Sequence, residues 1–353
     1  MNPIQSGLYF VILAAAGMMP AHAASYGGAA DCRLAAVEPS PASAGAVRWD
    51  GPCKDGYAEG KGRLQWTADG GKYAIEANLV RGEISGDAKL TSKEGVYTGM
   101  LKNGLPHGQG YFEYADHGGW YEGALANGKP DGPGIYLAAD RSKYTGHWKN
   151  GKRHGIGEQS FALGGSYAGQ WQDDVFHGRG KIVYAGSARR YEGEFVDGRP
   201  VGVPAPEVDT KEYVLKDRPR IGSHLASDRA TSPVPPLATW AQLTEPQKNR
   251  VRAPYLALER GDDPPYPLYG RRELVQLIQR LAEKHEGIVG SASVLVTIGV
   301  DGKAKNGSVY AGTNPTLGKL MLQSMMVQKY KPASCQGAPC EMGYAVGYDY
   351  NVE

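Results

Sequence analysis

A tyrosine–glycine pattern returns every 23 or 24 residues along the first half of the chain. A period of that length restricts the fold to an array of small units that share their core with their neighbours. The clearest copy runs Tyr97-Thr98-Gly99-Met100-Leu101-Lys102-Asn103-Gly104, followed by Gly108 and Gly110. The same offsets hold Tyr121, Gly123, Leu125, Gly128, Gly132 and Gly134, and then Tyr144, Gly146, Trp148, Gly151, Gly155 and Gly157. Worn copies start at Tyr167 and Tyr191. Upstream, Trp49 with Gly51, Cys53, Gly56, Gly60 and Gly62 fits the pattern, and Tyr73 marks a degraded unit between. The seven starting points lie 24, 24, 24, 23, 23 and 24 residues apart, too regular for chance. Composition follows the repeat: 50 glycines and 22 tyrosines stand against 5 phenylalanines, a usage foreign to Rossmann or TIM-barrel enzymes.

Each unit reads as a β-hairpin. Offsets 0, 2 and 4 share one face of a strand, so Tyr and Leu or Trp point inward, and the Gly between them is expected to leave room for the neighbouring unit's ring. Asn103-Gly104, Asn127-Gly128, Asn150-Gly151 and Asp197-Gly198 supply turns that accept positive φ, while Asp174 replaces the turn Gly in the Tyr167 unit. Gly108 and its equivalents open the returning strand, where a bend or a close backbone approach is expected. His107, His154 and His177 share one offset with Asp131 and Glu59. A ladder of ligands is one reading of that row; the preferred one is a polar residue that belongs to the repeat.

The first residues point to export. An apolar run from Leu8 to Met19 closes with Ala21-His22-Ala23, too short to span a bilayer and well suited to a signal peptide cleaved after Ala23. Four cysteines agree with an oxidising compartment, and proximity favours Cys32 with Cys53 and Cys335 with Cys340, with Cys53 at an inward aliphatic place of the repeat. The balance of 39 Lys+Arg against 37 Asp+Glu, a net +2, gives no field suited to a nucleic-acid backbone.

Prolines at 204, 206, 219, 233, 235, 236 and 246 break the period and suggest a semi-extended linker with local packing and a short helix around Trp240 to Asn249. Beyond it, Leu274, Leu277, Ile278 and Leu281 recur at helical spacing from Arg271 to Lys284. Val294, Val296, Ile298 and Val300 alternate as a strand before an Asp301-Gly302 turn, and a second strand is expected around 305–311. A second helix opens at Pro315, with Met321, Met325 and Met326 as core filling, and a last strand runs from Met342 to Val352. The chain therefore divides into a leader 1–23, a lead-in 24–48, a repeat sheet 49–204, a proline-rich linker 205–262 and a C-terminal domain 263–353. The expected fold is mainly β: one elongated sheet of stacked hairpins, then a small α+β domain with helices on one face of a three-stranded antiparallel sheet.

The units over 49–204 resemble MORN repeats, which implies protein scaffolding, sometimes contact with a membrane surface, and no catalysis. The C-terminal domain resembles that of the TonB energy transducer. Pro265-Tyr266-Pro267, Glu286-Gly287, Val296 through Asp301-Gly302, Tyr330-Lys331-Pro332-Ala333 and Gly337 carry the likeness. It implies a periplasmic protein of a Gram-negative-type envelope that binds an extended segment of a partner, such as an outer-membrane TonB-dependent receptor or another envelope protein. The expected contact is the edge of the final strand, with Glu341, Tyr344, Val346, Tyr348 and Tyr350 as candidate residues. Energy transduction and a purely structural scaffold are the alternative readings. No catalytic, metal or cofactor site is expected, because G-x-S-x-G, H-E-x-x-H and P-loop patterns are absent, His224 and His285 are single, and Asp262-Asp263 reads as a pair that caps or solvates a loop in a proline turn.

Overall fold

The computed structural model describes residues 32–34, 47–68, 70–115, 118–187, 189–216, 229–282 and 288–350. The leader, most of the lead-in, and the segments holding His224 and His285 lie outside the described residues. From Arg48 to Pro200 the chain forms one 14-stranded sheet in which every strand pairs antiparallel with its neighbours in sequence order.

The repeat has a concrete physical basis. Tyr97, Tyr121, Tyr144 and Tyr167 are buried on the inner face, each hydroxyl donating to the backbone carbonyl three residues on: Met100 at 2.8 Å, Ala124 at 2.7 Å, His147 at 2.8 Å and Gln170 at 2.8 Å. Trp49 does the same with its indole N–H, donating to Pro52 O at 2.9 Å. That bond lays the ring across the two glycines of its own hairpin. A Cβ on Gly146 would lie 2.6 Å from the Tyr144 hydroxyl, and one on Gly157 would lie 2.5 Å from that ring's Cζ. The glycines thus make room for the unit's own tyrosine, not for the neighbour's ring. In the degraded unit Ile75 takes the first glycine's place, and Tyr73 stacks on Trp66 instead, with ring centroids 5.4 Å apart.

Turn chemistry follows the sequence. Asn103, Asn127, Asn150 and Asp197 adopt φ of 49–52°, with glycines at 75–83° behind them. From the second of these turns on, the following glycine, or Asp174 in its place, leans on the unit before: Gly128 N–H donates to Pro106 O, Gly151 to Pro130 O, Asp174 to Arg153 O and Gly198 to Phe176 O. The shared polar offset serves the same seam. Asp131 Oδ2 accepts from Asn150 N at 3.0 Å, and Glu59 Oε2 accepts from Arg81 N at 2.8 Å, so these side chains cap the next unit's turn. Asp174 holds a positive φ of 74° without being glycine. Its carboxylate accepts from Arg153 Nε at 2.9 Å while Arg153 Nη1 donates to Gln159 at 2.9 Å, and the guanidinium lies 4.4 Å from the Trp171 ring centre.

Burial pushes the phenols of Tyr97 and Tyr167 up to about 12 from 10.0, and Tyr121 and Tyr144 further up for the same reason. The folded sheet keeps these protons, whereas an unfolded chain gives them up near 10.0. Their contribution to stability is therefore intact below that pH and is lost as pH rises through 12 and beyond. Tyrosine absorbance followed in an alkaline titration should show these phenols ionising together with loss of β-sheet circular dichroism; early ionisation of a still-folded sheet would contradict their burial.

The cysteines pair as proximity suggested, 32 with 53 and 335 with 340. Cys53, however, is not an inward residue. It is exposed in a two-stranded spur, Cys53–Lys54 with Tyr57–Ala58, that stands apart from the large sheet.

The C-terminal sheet has the order Ala304–Gly312, Gly290–Ile298, Met342–Tyr350, all antiparallel. Helices α2 (Arg272–Ala282) and α3 (Pro315–Val327) cover one face, where Leu274, Ile278, Val294, Val296, Met321 and Met325 form the core. Val300 is not part of the central strand. It lies past its end in a turn closed by Gly299 N–H to Lys303 O, and is 55% exposed.

The proline-rich stretch is built more firmly than its composition suggests. Helix α1 (Glu245–Arg252) takes Pro246 in its first turn and clasps the chain that leaves the repeats: Asn249 Nδ2 donates to Glu207 O at 2.8 Å and Arg250 Nη1 to Asp209 O at 2.9 Å. Val234, Trp240, Leu243 and Tyr266 form a small core of their own. Asp262 and Asp263 do not simply solvate a loop. Asp263 accepts from Trp240 Nε1 at 2.9 Å and Arg252 Nη2 at 2.7 Å, with Lys331 Nζ 3.5 Å away, while the buried Asp262 accepts from Gln336 N at 2.7 Å. The two carboxylates tie the linker to the C-terminal domain.

Candidate protein-interaction surface

Among the described residues the last strand, Met342–Tyr350, pairs only with the central strand and forms one edge of the C-terminal sheet. Its register runs without a break from Gly290↔Tyr350 to Ile298↔Met342, so side chains and backbone groups alternate regularly along it. Tyr344 and Val346 are 4% and 6% exposed and face the helices, with Tyr344 packed 5.5 Å from the Tyr330 ring. Tyr348 is half-buried and packs at the margin of the same core. These candidate residues are therefore core residues whose strand, not whose side chains, would meet a partner. Glu341 lies before the strand and is ion-paired with Lys305. Tyr350 pairs with Gly290 at the far end.

The backbone edge is defined by Gly343, whose carbonyl accepts from the Tyr255 hydroxyl at 2.9 Å and so points away from the central strand. In an antiparallel pair the N–H and C=O of one residue point to the same side and alternate along the strand, which puts those of Ala345, Gly347 and Asp349 on that outer side too. Gly347 and Asp349 are exposed, whereas Gly343 and Ala345 are half-buried. Sequence reasoning placed this strand at an edge of the sheet, as it is, but had no signal for this parity, nor for Tyr255, which lies 88 residues upstream of its partner.

The face opposite the helices is not bare. Leu163 and Ala185, from loops that join successive repeats, form a core with Tyr255, Cys335, Cys340 and Met342. A Cβ on Gly343 would lie 3.1 Å from Leu163 Cα, and one on Gly186 would lie 2.5 Å from Cys335 Sγ. Tyr310, on the other edge strand, has its phenol pushed up by burial and then by Asp140 of a third repeat loop. The repeat sheet thus seats the C-terminal domain on a row of unit-joining loops, in contacts between segments more than 100 residues apart in the chain.

Residues 97–119, 121–143, 144–165, 167–189 and 191–203 match the MORN repeat family. The chain carries a MORN-repeat region over 97–203, a kind of repeat that supports protein–protein interaction. The Trp49 unit upstream of that match repeats its ring-over-glycine geometry and its i to i+3 bond. No curated protein matches the chain. Among the described residues no group of three or more His, Cys, Asp or Glu is placed to hold a metal ion, and no helix is long and apolar enough to cross a membrane. The repeat region fits a scaffold or adaptor that binds other proteins.

Proposed function

We propose that the chain is an exported adaptor of a Gram-negative-type cell envelope, working in the periplasm, whose TonB-like C-terminal domain captures an extended segment of a partner protein. The partner implied by the likeness is an outer-membrane TonB-dependent receptor. The observation that carries the reading is the unbroken edge strand, whose Ala345 and Gly347 turn their backbone groups to the outer side, where a strand can be added. Two stretches of the likeness also meet in space, Tyr266↔Lys331 and Pro267↔Tyr330. The MORN region supplies the rigid platform, and no step of the proposed role needs a catalytic group or a cofactor.

Titration of the mature full-length protein with synthetic N-terminal peptides of outer-membrane receptors, followed by backbone amide NMR, tests this. Shifts should centre on 345–349. Val346 has the wrong parity for a blocking substitution, because its backbone faces Val294 of the central strand. Gly347→Pro removes an outward donor instead and should abolish the titration while the circular dichroism spectrum is kept. Binding unchanged in Gly347→Pro, or no shift at millimolar peptide, would leave the scaffold reading in place. That second reading has its own support in the loops seated on the domain's free face.

A further inference from the structure

The repeat fixes which side chains turn inward and leaves the outer face of the large sheet to vary from unit to unit. On that outer face two large rings meet, Tyr111 and Trp120, with centroids 6.0 Å apart and planes tilted by 32°. Their chain neighbours Phe112 and Tyr121 are buried on the inner face, so these two point the other way. Neither ring belongs to the recurring pattern: Ile135 and Lys181 stand at the place of Tyr111 in other units, and Val96 and Lys143 at the place of Trp120. The pairing register completes the patch. Glu113 lies directly opposite Trp120, and Glu122 directly opposite Tyr111. Strands Leu105–Tyr114 and Trp120–Ala126 therefore present a block of four side chains, with the rings on one diagonal and the carboxylates on the other. Tyr111 is 38% exposed and Trp120 is half-buried. Both glutamates are exposed, and among the described residues no cation pairs with either. Along these two rows of the sheet the nearest basic side chains, Lys89 and Lys143, stand two strands away, about 10 Å at the usual strand spacing. The local field reaches Tyr111, whose phenol is pushed up by burial and then by Glu113 and Glu122.

We propose that this block is a second recognition site, for an arginine-bearing segment of a partner protein, with the guanidinium laid on the two rings and its N–H groups donating to Glu113 and Glu122. The occupant follows from charge: two uncompensated carboxylates stand beside two π-faces. A π-face attracts a cation and a carboxylate pairs with one, and a planar guanidinium does both with the same group, by stacking and by forked hydrogen bonds. Lysine offers the charge without the plane. A sugar offers apolar faces and hydroxyls but gains nothing from two net negative charges. The site lies on the MORN sheet, so it stands or falls independently of the edge strand in the C-terminal domain.

The mature full-length protein is titrated with three probes of equal length, the amides of tetra-arginine, tetra-lysine and tetra-citrulline, the last being an uncharged near-isostere of the first. Binding is read by NMR from the Trp120 indole N–H, assigned by its loss in Trp120→Phe, and from the backbone amides of Glu113 and Glu122. Tetra-arginine should shift these signals, tetra-lysine should bind more weakly, and tetra-citrulline should leave them unmoved. Trp120→Ala, and separately the double change Glu113→Gln with Glu122→Gln, should each weaken tetra-arginine binding roughly tenfold, the double change most at low salt. Because both carboxylates are exposed, the double change leaves the fold intact and carries the test even where Trp120→Ala unfolds. Equal shifts from tetra-citrulline would overturn the site by removing charge from recognition. Loss in the double variant with none in a folded Trp120→Ala would overturn it by leaving bulk attraction alone. An indole that stays silent with millimolar tetra-arginine would overturn it too, and a shift with chito-oligosaccharide instead would reassign the rings to a glycan.

Discussion

Gly146→Val should unfold the middle of the repeat sheet. A Cβ at that position would lie 2.5 Å from Gly157 Cα, 2.7 Å from Ile156 O and 2.6 Å from the Tyr144 hydroxyl. Two of those three atoms are backbone of the paired strand, which cannot rotate away as a flexible side chain could. Overpacking of this kind costs about 3 kcal/mol or more. Because stability in such an array is a sum of units and nearest-neighbour interfaces, the loss should be local. Amide exchange should rise across Lys143–Lys149 and Lys152–Ser160 and in the strands beside them, while Gly60–Ala68 stays protected. Gly202→Ala is the control: it has positive φ of 83° but open space around it, so it isolates backbone strain, about 1 kcal/mol, from the loss of room for the ring. Equal effects at the two positions would refute the ring-over-glycine account of the repeat.

Asp263→Ala should loosen the C-terminal domain from the segment that leads into it. The carboxylate accepts from Trp240 Nε1 and Arg252 Nη2, and Lys331 Nζ stands 3.5 Å away. Removing it leaves the indole donor without its acceptor and Lys331 without its anion, and leaves Arg252 with Glu245 alone, 3.0 Å away. At a side chain 22% exposed the cost is roughly 2–3 kcal/mol, below that of a fully buried pair because solvent screens part of it. In a body of this size that is about 5–10 °C in Tm, with Trp240 fluorescence reporting the same transition. Asp263→Asn keeps an acceptor for the indole and should lose about half as much. A Tm unchanged in Asp263→Ala would mean that the strand pairing of Tyr266–Pro267 with Tyr330–Lys331 holds the junction alone.

The array was legible because its constraints are chemical and recur at fixed offsets: Asn-Gly and Asp-Gly announce the turns, and Tyr with Gly two residues on announces one face of a strand. The direction of the ring was not legible. A same-face rule places Tyr97 and Gly99 together without saying whether the ring covers its own glycines or a neighbour's, and the hydroxyl's bond to Met100 O decides it. Alternation carried the central strand one step too far, to Val300, because Asp301-Gly302 marks a turn but not the residue where pairing stops. Seven prolines read as a break in the period and as a semi-extended linker with local packing, but which residues pin this stretch could not be read, since Asp209, Asn249 and Asp263 act across long sequence separations. The interaction surface shows the same split. Which strand comes last can be read from sequence, but Tyr255 and Leu163 carry no local sign that they meet Gly343.

The central claim, that a partner is bound along the exposed half of the last strand of the C-terminal sheet, is tested most directly by photo-crosslinking in the native envelope. A photoreactive residue is placed at Gly347 or Asp349 in one set of cells, and at Ile156, 58% exposed on the repeat sheet, in another. The account expects a discrete crosslinked partner from 347 and 349, joined through an extended segment of that protein, and none from 156. Crosslinks gained from 156 alone, with 347 and 349 silent, would contradict it and place recognition on the MORN sheet.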